Sequence, residues 1–145
     1  MDLNLLFTLA NVYVLPFWLL MIVLPNWEIT KKVMQSYLVF LPLIILYIYL
    51  FVGALDPESI GLLASPELPG IAQAFGSEGV AFTGWVHFLT LDLFLGRYVY
   101  FKGQETNIWT IHSLIICLFA GPIGLLSHIV TVWVSDRFSQ PSEVT

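Results

Sequence analysis

Three stretches of the chain, 3–27, 33–55 and 106–135, contain no Asp, Glu, Lys or Arg. Each exceeds the ~20 residues a helix needs to cross a hydrocarbon core of about 30 Å. A fourth apolar stretch, 79–101, is long enough but carries ionisable residues within it. The pattern predicts helices over about 3–25, 33–54, 80–101 and 108–134. The expected fold is therefore all-α: a four-helix transmembrane bundle, forming one integral membrane domain over 1–145.

The loops set an expected orientation. The first short connection, NWEITKK, holds Lys31 and Lys32; the second holds Lys102, with Arg97 just inside the helix before it. On the opposite side stands only Arg137. An excess of Lys and Arg marks cytoplasmic loops. Both short connections are thus expected at the cytoplasm, with both termini and the longer loop, 56–78, on the far side.

That loop, DPESIGLLASPELPGIAQAFGSE, contains Pro57, Pro66 and Pro69 with Gly61, Gly70 and Gly76, which argue against one long helix. Ile60, Leu62, Leu68, Ile71 and Phe75 make it too apolar for a solvated linker. It reads either as a segment lying among lipid headgroups or as a lid.

Composition agrees with a membrane protein: 58% of residues are hydrophobic and 10% charged, against about 25% charged in soluble domains. Residues 1–25 have no basic leader region and no small-residue cleavage site, so the first helix is expected to be retained. The net charge of −5 comes with no basic patch, which excludes a nucleic-acid role. The lone cysteine, Cys117, makes no intramolecular disulfide.

His87, Asp92 and Arg97 are the chemical candidates. A charged residue at the centre of a membrane helix costs about 2.5–3.5 kcal/mol on insertion scales, so such residues face a bundle interior or a cavity. At about 100° per residue, Thr83, His87, Thr90 and Arg97 share a sector of roughly 80°, while Asp92 points about 140° from His87 with Trp85, Phe88 and Gly96. No ready-made triad results. Counting helix rise puts Arg97 level with His112, Asp92 level with Cys117, and His87 near Asn11, Tyr47 and the Gly121-Pro122 pair. Pro122 is expected to kink the last helix. A cavity bounded by Asn11, Tyr47, His87, Asp92 and that kink follows as a structural expectation.

Plainer readings stand beside it. Asn11, Thr8 and Ser36 fit interhelical hydrogen bonding, and Arg97 fits snorkelling to the interface. Asp92 is too short to snorkel from mid-depth. The histidines lack metal-ligand spacing, so no metal centre is expected, and His128 reads as an interfacial residue. Trp18, Trp27, Trp109 and Trp133, with Tyr98 and Tyr100, read as an aromatic belt.

The string WVHFLTLDLFLGRYVY (85–100) resembles the abscisic-acid-deficient-four-like membrane family. VLPFW (14–18), TKKVMQS (30–36), LPGIAQAF (68–75) and HSLIICLFAGPIGLLSH (112–128) carry the resemblance along most of the chain. It implies a small multi-span protein of plastid or photosynthetic membranes, linked in plants to conversion of violaxanthin to neoxanthin. That reaction opens an epoxide and makes an allene, and an acid and a base suffice for it in principle. The resemblance then implies Asp92 as base or acid, His87 as its complement and Arg97 as electrostatic stabiliser. Asn11, Tyr47, His112 and Pro122 are the expected substrate contacts. With no plastid leader ahead of the first helix, the implied setting is a cyanobacterial thylakoid or bacterial inner membrane.

Three functions are open on the sequence. One is a carotenoid-modifying enzyme acting on a lipid-dissolved xanthophyll, with no cofactor identified. Another is a non-enzymatic pigment-binding or assembly subunit of a photosynthetic membrane complex. The last is a small transporter with a proton path through Asp92 and His87, disfavoured by the lack of an internal repeat. The expected partners are membrane lipid and a carotenoid or other long apolar pigment.

Overall fold

In the computed structural model, residues 2–54, 57–64 and 67–139 are described; Asp56 and Pro66 of the long loop lie outside them. Among the described residues the protein is all-helical, with no strand. Its contacts divide it into two compact units, Met1–Val14 with Ser36–Thr90, and Leu15–Gln35 with Leu91–Thr145. Two long helices, α1 (Leu3–Val23) and α6 (Glu78–Thr106), begin in the first unit and end in the second. These two are long and apolar enough to cross a membrane. A bent pair, Glu28–Gln35 with Tyr37–Gly53, adds a third span if it counts as one.

In the first unit, the Asp2 carboxylate accepts the Asn4 N–H at 2.9 Å and starts α1. Ser36 begins a new element rather than bridging helices: its Oγ accepts from Leu38 N and caps a 3₁₀ turn, Tyr37–Phe40. The turn runs into α3 (Leu41–Gly53), where Pro42 occupies the first turn, a position at which its missing N–H costs nothing. The single helix expected over 33–54 is therefore two pieces, because serine and proline both favour a helix start here. Thr8 returns its hydroxyl to the Asn4 carbonyl of its own helix instead of joining another. Where a loop was expected over 56–78, the chain forms two short helices, α4 (Pro57–Ala64) and α5 (Leu68–Phe75). Pro57 opens α4 and Pro69 falls in the first turn of α5, so the prolines start these helices. Val14, Leu43, Leu50 and Val86 are buried in this unit.

The second unit is built on close approaches. After α1, the amphipathic α2 (Glu28–Gln35) places Glu28 in its first turn and Lys32 in its last, complementing the helix dipole. The connection before it is pinned by Thr30 Oγ1 donating to Leu24 O at 2.8 Å and Tyr100 OH donating to Pro25 O at 2.8 Å. Helix α6 stops at Asn107, whose φ of 55° is the left-handed cap conformation asparagine tolerates. Ile108 N then donates to Gly103 O, the bond that closes such a helix end.

The last expected helix, 108–134, is instead two helices: α7 (Ile111–Phe119) and α8 (Gly121–Ser139). Ala120, at φ −156° and ψ 82°, leaves helical geometry. Pro122 follows in the first turn of α8, so it starts a helix rather than kinking one. The two helices fold back on each other: Ser113 Oγ meets Ser127 Oγ at 2.9 Å and His112 Nε2 meets Thr131 Oγ1 at 2.8 Å. Gly124 packs directly on Cys117, where a side chain would not fit. Met21, Met34, Leu93, Val99 and Cys117 are fully buried here.

Candidate functional site

A cleft of about 260 Å³ opens in the first unit between α3, α5 and α6. Tyr47, Phe51, Phe75 and Phe88 form most of its wall, and His87 and Thr83 project from α6 into it. The Tyr47 and His87 rings lie 5.9 Å apart, and the His87 ring meets Phe88 edge-on at 6.2 Å. Gly84 makes room for the Phe75 ring, since a Cβ there would lie 2.7 Å from its edge. Phe51, Phe75 and Phe88 remain largely exposed, so the cleft is open to its surroundings. Phe75 comes from the segment expected to be a loop or lid, and it supplies one wall.

The cleft is nearly all apolar. Thr83 gives its hydroxyl hydrogen to Gly79 O at 2.7 Å. The remaining polar side chains are Tyr47 and His87. Apolar walls with a few polar groups are the usual composition of a small-molecule cleft.

The other expected site residues lie elsewhere. Asn11 does not line the cleft; its Oδ1 accepts from Trp85 Nε1 at 3.0 Å, a bond between helices. Asp92, in the second unit, packs against Gly121 so closely that a Cβ there would collide with its carboxylate. The expectation that Gly121 lies at the depth of His87 assumed an unbroken last helix, and the turn after Phe119 removes that premise. Arg97 is held by protein groups. Its Nε donates to Met34 O at 2.5 Å, satisfying a carbonyl at the end of α2, and its guanidinium lies 5.0 Å over the Phe101 ring. Of the expected contacts, the structure thus brings together Tyr47 and His87.

His112 stacks on Trp109 at 5.0 Å and bonds Thr131. Because Thr131 already donates to Ser127 O, its oxygen accepts from His112 Nε2. His128 is buried within the protein, 5% exposed, against the edge of Tyr98 at 6.0 Å. Among the described residues, His112 Nδ1 and His128 Nδ1 are buried without a hydrogen-bond partner. Trp18 also departs from the belt expected of it. It is 3% exposed, its ring filling the space over Gly96, whereas Trp27, Trp109 and Trp133 are exposed as a belt requires. Among the described residues no cluster of His, Cys, Asp and Glu forms a metal site.

Residues 5–128 match the family described as ABA DEFICIENT 4-like. Over 130 residues the chain is 43% identical to the chloroplastic protein ABA DEFICIENT 4 of Arabidopsis thaliana. The match covers 86% of this chain and 59% of that protein, so the chain spans about three-fifths of its relative's length. No solved structure matches.

Proposed function

From the premise that this chain belongs to the ABA DEFICIENT 4-like family, we propose that it is a multi-pass membrane protein that handles a carotenoid. The observation that carries this reading is the aromatic cleft, in which His87 faces Tyr47 among phenylalanines. A carotenoid end ring is a flat apolar group, and a xanthophyll ring bears an oxygen. The ring enters from lipid between Phe51, Phe75 and Phe88, and its oxygen meets His87.

Neoxanthin formation from an epoxide, the reaction associated with plant members, is an isomerisation. A proton goes to the epoxide oxygen as its C–O bond breaks, and one leaves a neighbouring carbon as the allene forms, so no oxidant or reductant is consumed. His87, whose imidazole can both donate and accept a proton, is the lining residue suited to such transfers. Asp92 and Arg97 hold neighbouring elements, α8 and α2, and serve as positioning residues.

Pigment binding without chemistry is the second reading, favoured by a wall that is mostly aromatic and apolar. In it the protein serves a photosynthetic membrane complex. One experiment separates the two: delete the gene, profile the carotenoids, and complement with the native protein, His87→Gln and Asp92→Asn. A changed profile restored by the native protein and not by His87→Gln supports the enzyme. An unchanged profile with a coloured purified protein supports the binder, and a colourless protein with an unchanged profile overturns both.

A further inference from the structure

The expected last span is a helical hairpin, and it points one way. Helix α7 has nine residues, about 13 Å, far short of the ~30 Å needed to cross. Its turn into α8 is apolar and bare: Phe119 is 81% exposed, with Ile115 and Ile123 exposed beside it. The open end carries the polar groups, Asn107 before α7 and Asp136 and Arg137 near the end of α8, beside exposed Trp109, Trp133 and Phe138. A hairpin in water would place its polar groups at the turn; this one is inverted.

Its direction relative to α6 is fixed by contacts along both helices. Asp92 touches Gly121 at the turn, and further along, Tyr98 meets His128. Helices α6 and α8 therefore descend side by side in the same direction. From Asp92 to Thr106 is about 21 Å, and from Gly121 to Asp136 about 22 Å, at ~1.5 Å per residue. Asp136 and Arg137 thus return to the level at which α6 ends.

Resting on the membrane reading above, we propose that α7 and α8 form a re-entrant hairpin. It enters from the side of the short 107–110 connection, turns at Ala120–Pro122 against Asp92, and leaves on the same side. Charge supports this independently. Lys31, Lys32, Arg97 and Lys102 already belong to that side, and the hairpin brings Arg137 to join them, the distribution expected of a cytoplasmic face. Trp133, with Arg137 5.1 Å over its ring, then joins Trp27 and Trp109 in a single belt.

Sidedness tests it. In a Cys117→Ala background, single cysteines Ser77→Cys, Asn107→Cys and Asp136→Cys are labelled with a membrane-impermeant maleimide in intact and in opened vesicles. The hairpin requires Asp136→Cys to label from the side of Asn107→Cys, and Ser77→Cys from the other. Labelling of Asp136→Cys with Ser77→Cys overturns it. Should Cys117→Ala misfold, protease digestion of a C-terminal epitope on the unaltered chain reports the same sidedness. Extraction of the protein by alkaline carbonate instead overturns the membrane reading, and the hairpin with it.

Discussion

Asp92 lays a carboxylate oxygen against Gly121 at the turn between α7 and α8, and no side chain fits between them. A methyl group at Gly121 must push the carboxylate or the turn aside. Gly121→Ala is expected to lower stability by about 1–3 kcal/mol, the usual cost of overpacking. Thermal unfolding in detergent measures it, and Gly121→Ala with Asp92→Ala in one chain should recover part of the loss. Additive losses would show that the two residues do not interact.

The cleft offers a milder version of the same contact. At Gly84 a Cβ would meet the edge of the Phe75 ring, a half-exposed side chain free to turn. Gly84→Ala should change stability little, while pigment retained on purification falls several-fold because the ring is driven into the cleft. Phe75→Leu in the same chain should restore retention. Absorbance per mole of protein gives the readout.

Gly96 is the stringent counterpart. Its Cβ would lie 2.5 Å from the Trp18 ring, and that ring is buried. Gly96→Ala should therefore destabilise more than Gly84→Ala, within the range of about 1–3 kcal/mol for overpacked sites. Comparing the two melting temperatures in one detergent decides it.

Arg97 reaches Met34 O through Nε, a geometry a lysine ammonium does not reproduce. Arg97→Lys should lose about 1.5–3 kcal/mol, the range for hydrogen bonds involving a charged group. If charge alone mattered, Arg97→Lys would melt with the native protein and Arg97→Gln would not.

Across the hairpin, Ser113 and Ser127 share one hydrogen bond. Removing either hydroxyl leaves the other short of a partner, so Ser113→Ala and Ser127→Ala together should cost less than the sum of the single changes. Their coupling is expected near 0.6 kcal/mol, the average for such bonds between membrane helices. A double-mutant cycle by thermal unfolding measures it.

The sequence made α1 and α6 legible, because an apolar run above membrane length leaves few alternatives: α6 was expected over 80–101 and runs Glu78–Thr106. It also brought Tyr47 to His87, since rise along two helices is arithmetic. The hairpin was hidden for the same reason. A charge-free run of membrane length looks identical whether it crosses or doubles back, and the signal that separates the cases, Ala120-Gly121-Pro122, was legible only as a kink. The burial of His128 and Trp18 was likewise out of reach, because both follow from the partner helix: Tyr98 for one, Gly96 for the other.

Thr83 returns its hydroxyl hydrogen to Gly79, so toward the cleft it can accept a hydrogen bond but not donate one. On the proposed reading, a ring oxygen lodged there finds a side-chain donor where Tyr47 and His87 meet. On that reading insertion is a matter of register, and a ligand whose acceptor oxygen stands at another carbon finds no side-chain donor in the cleft.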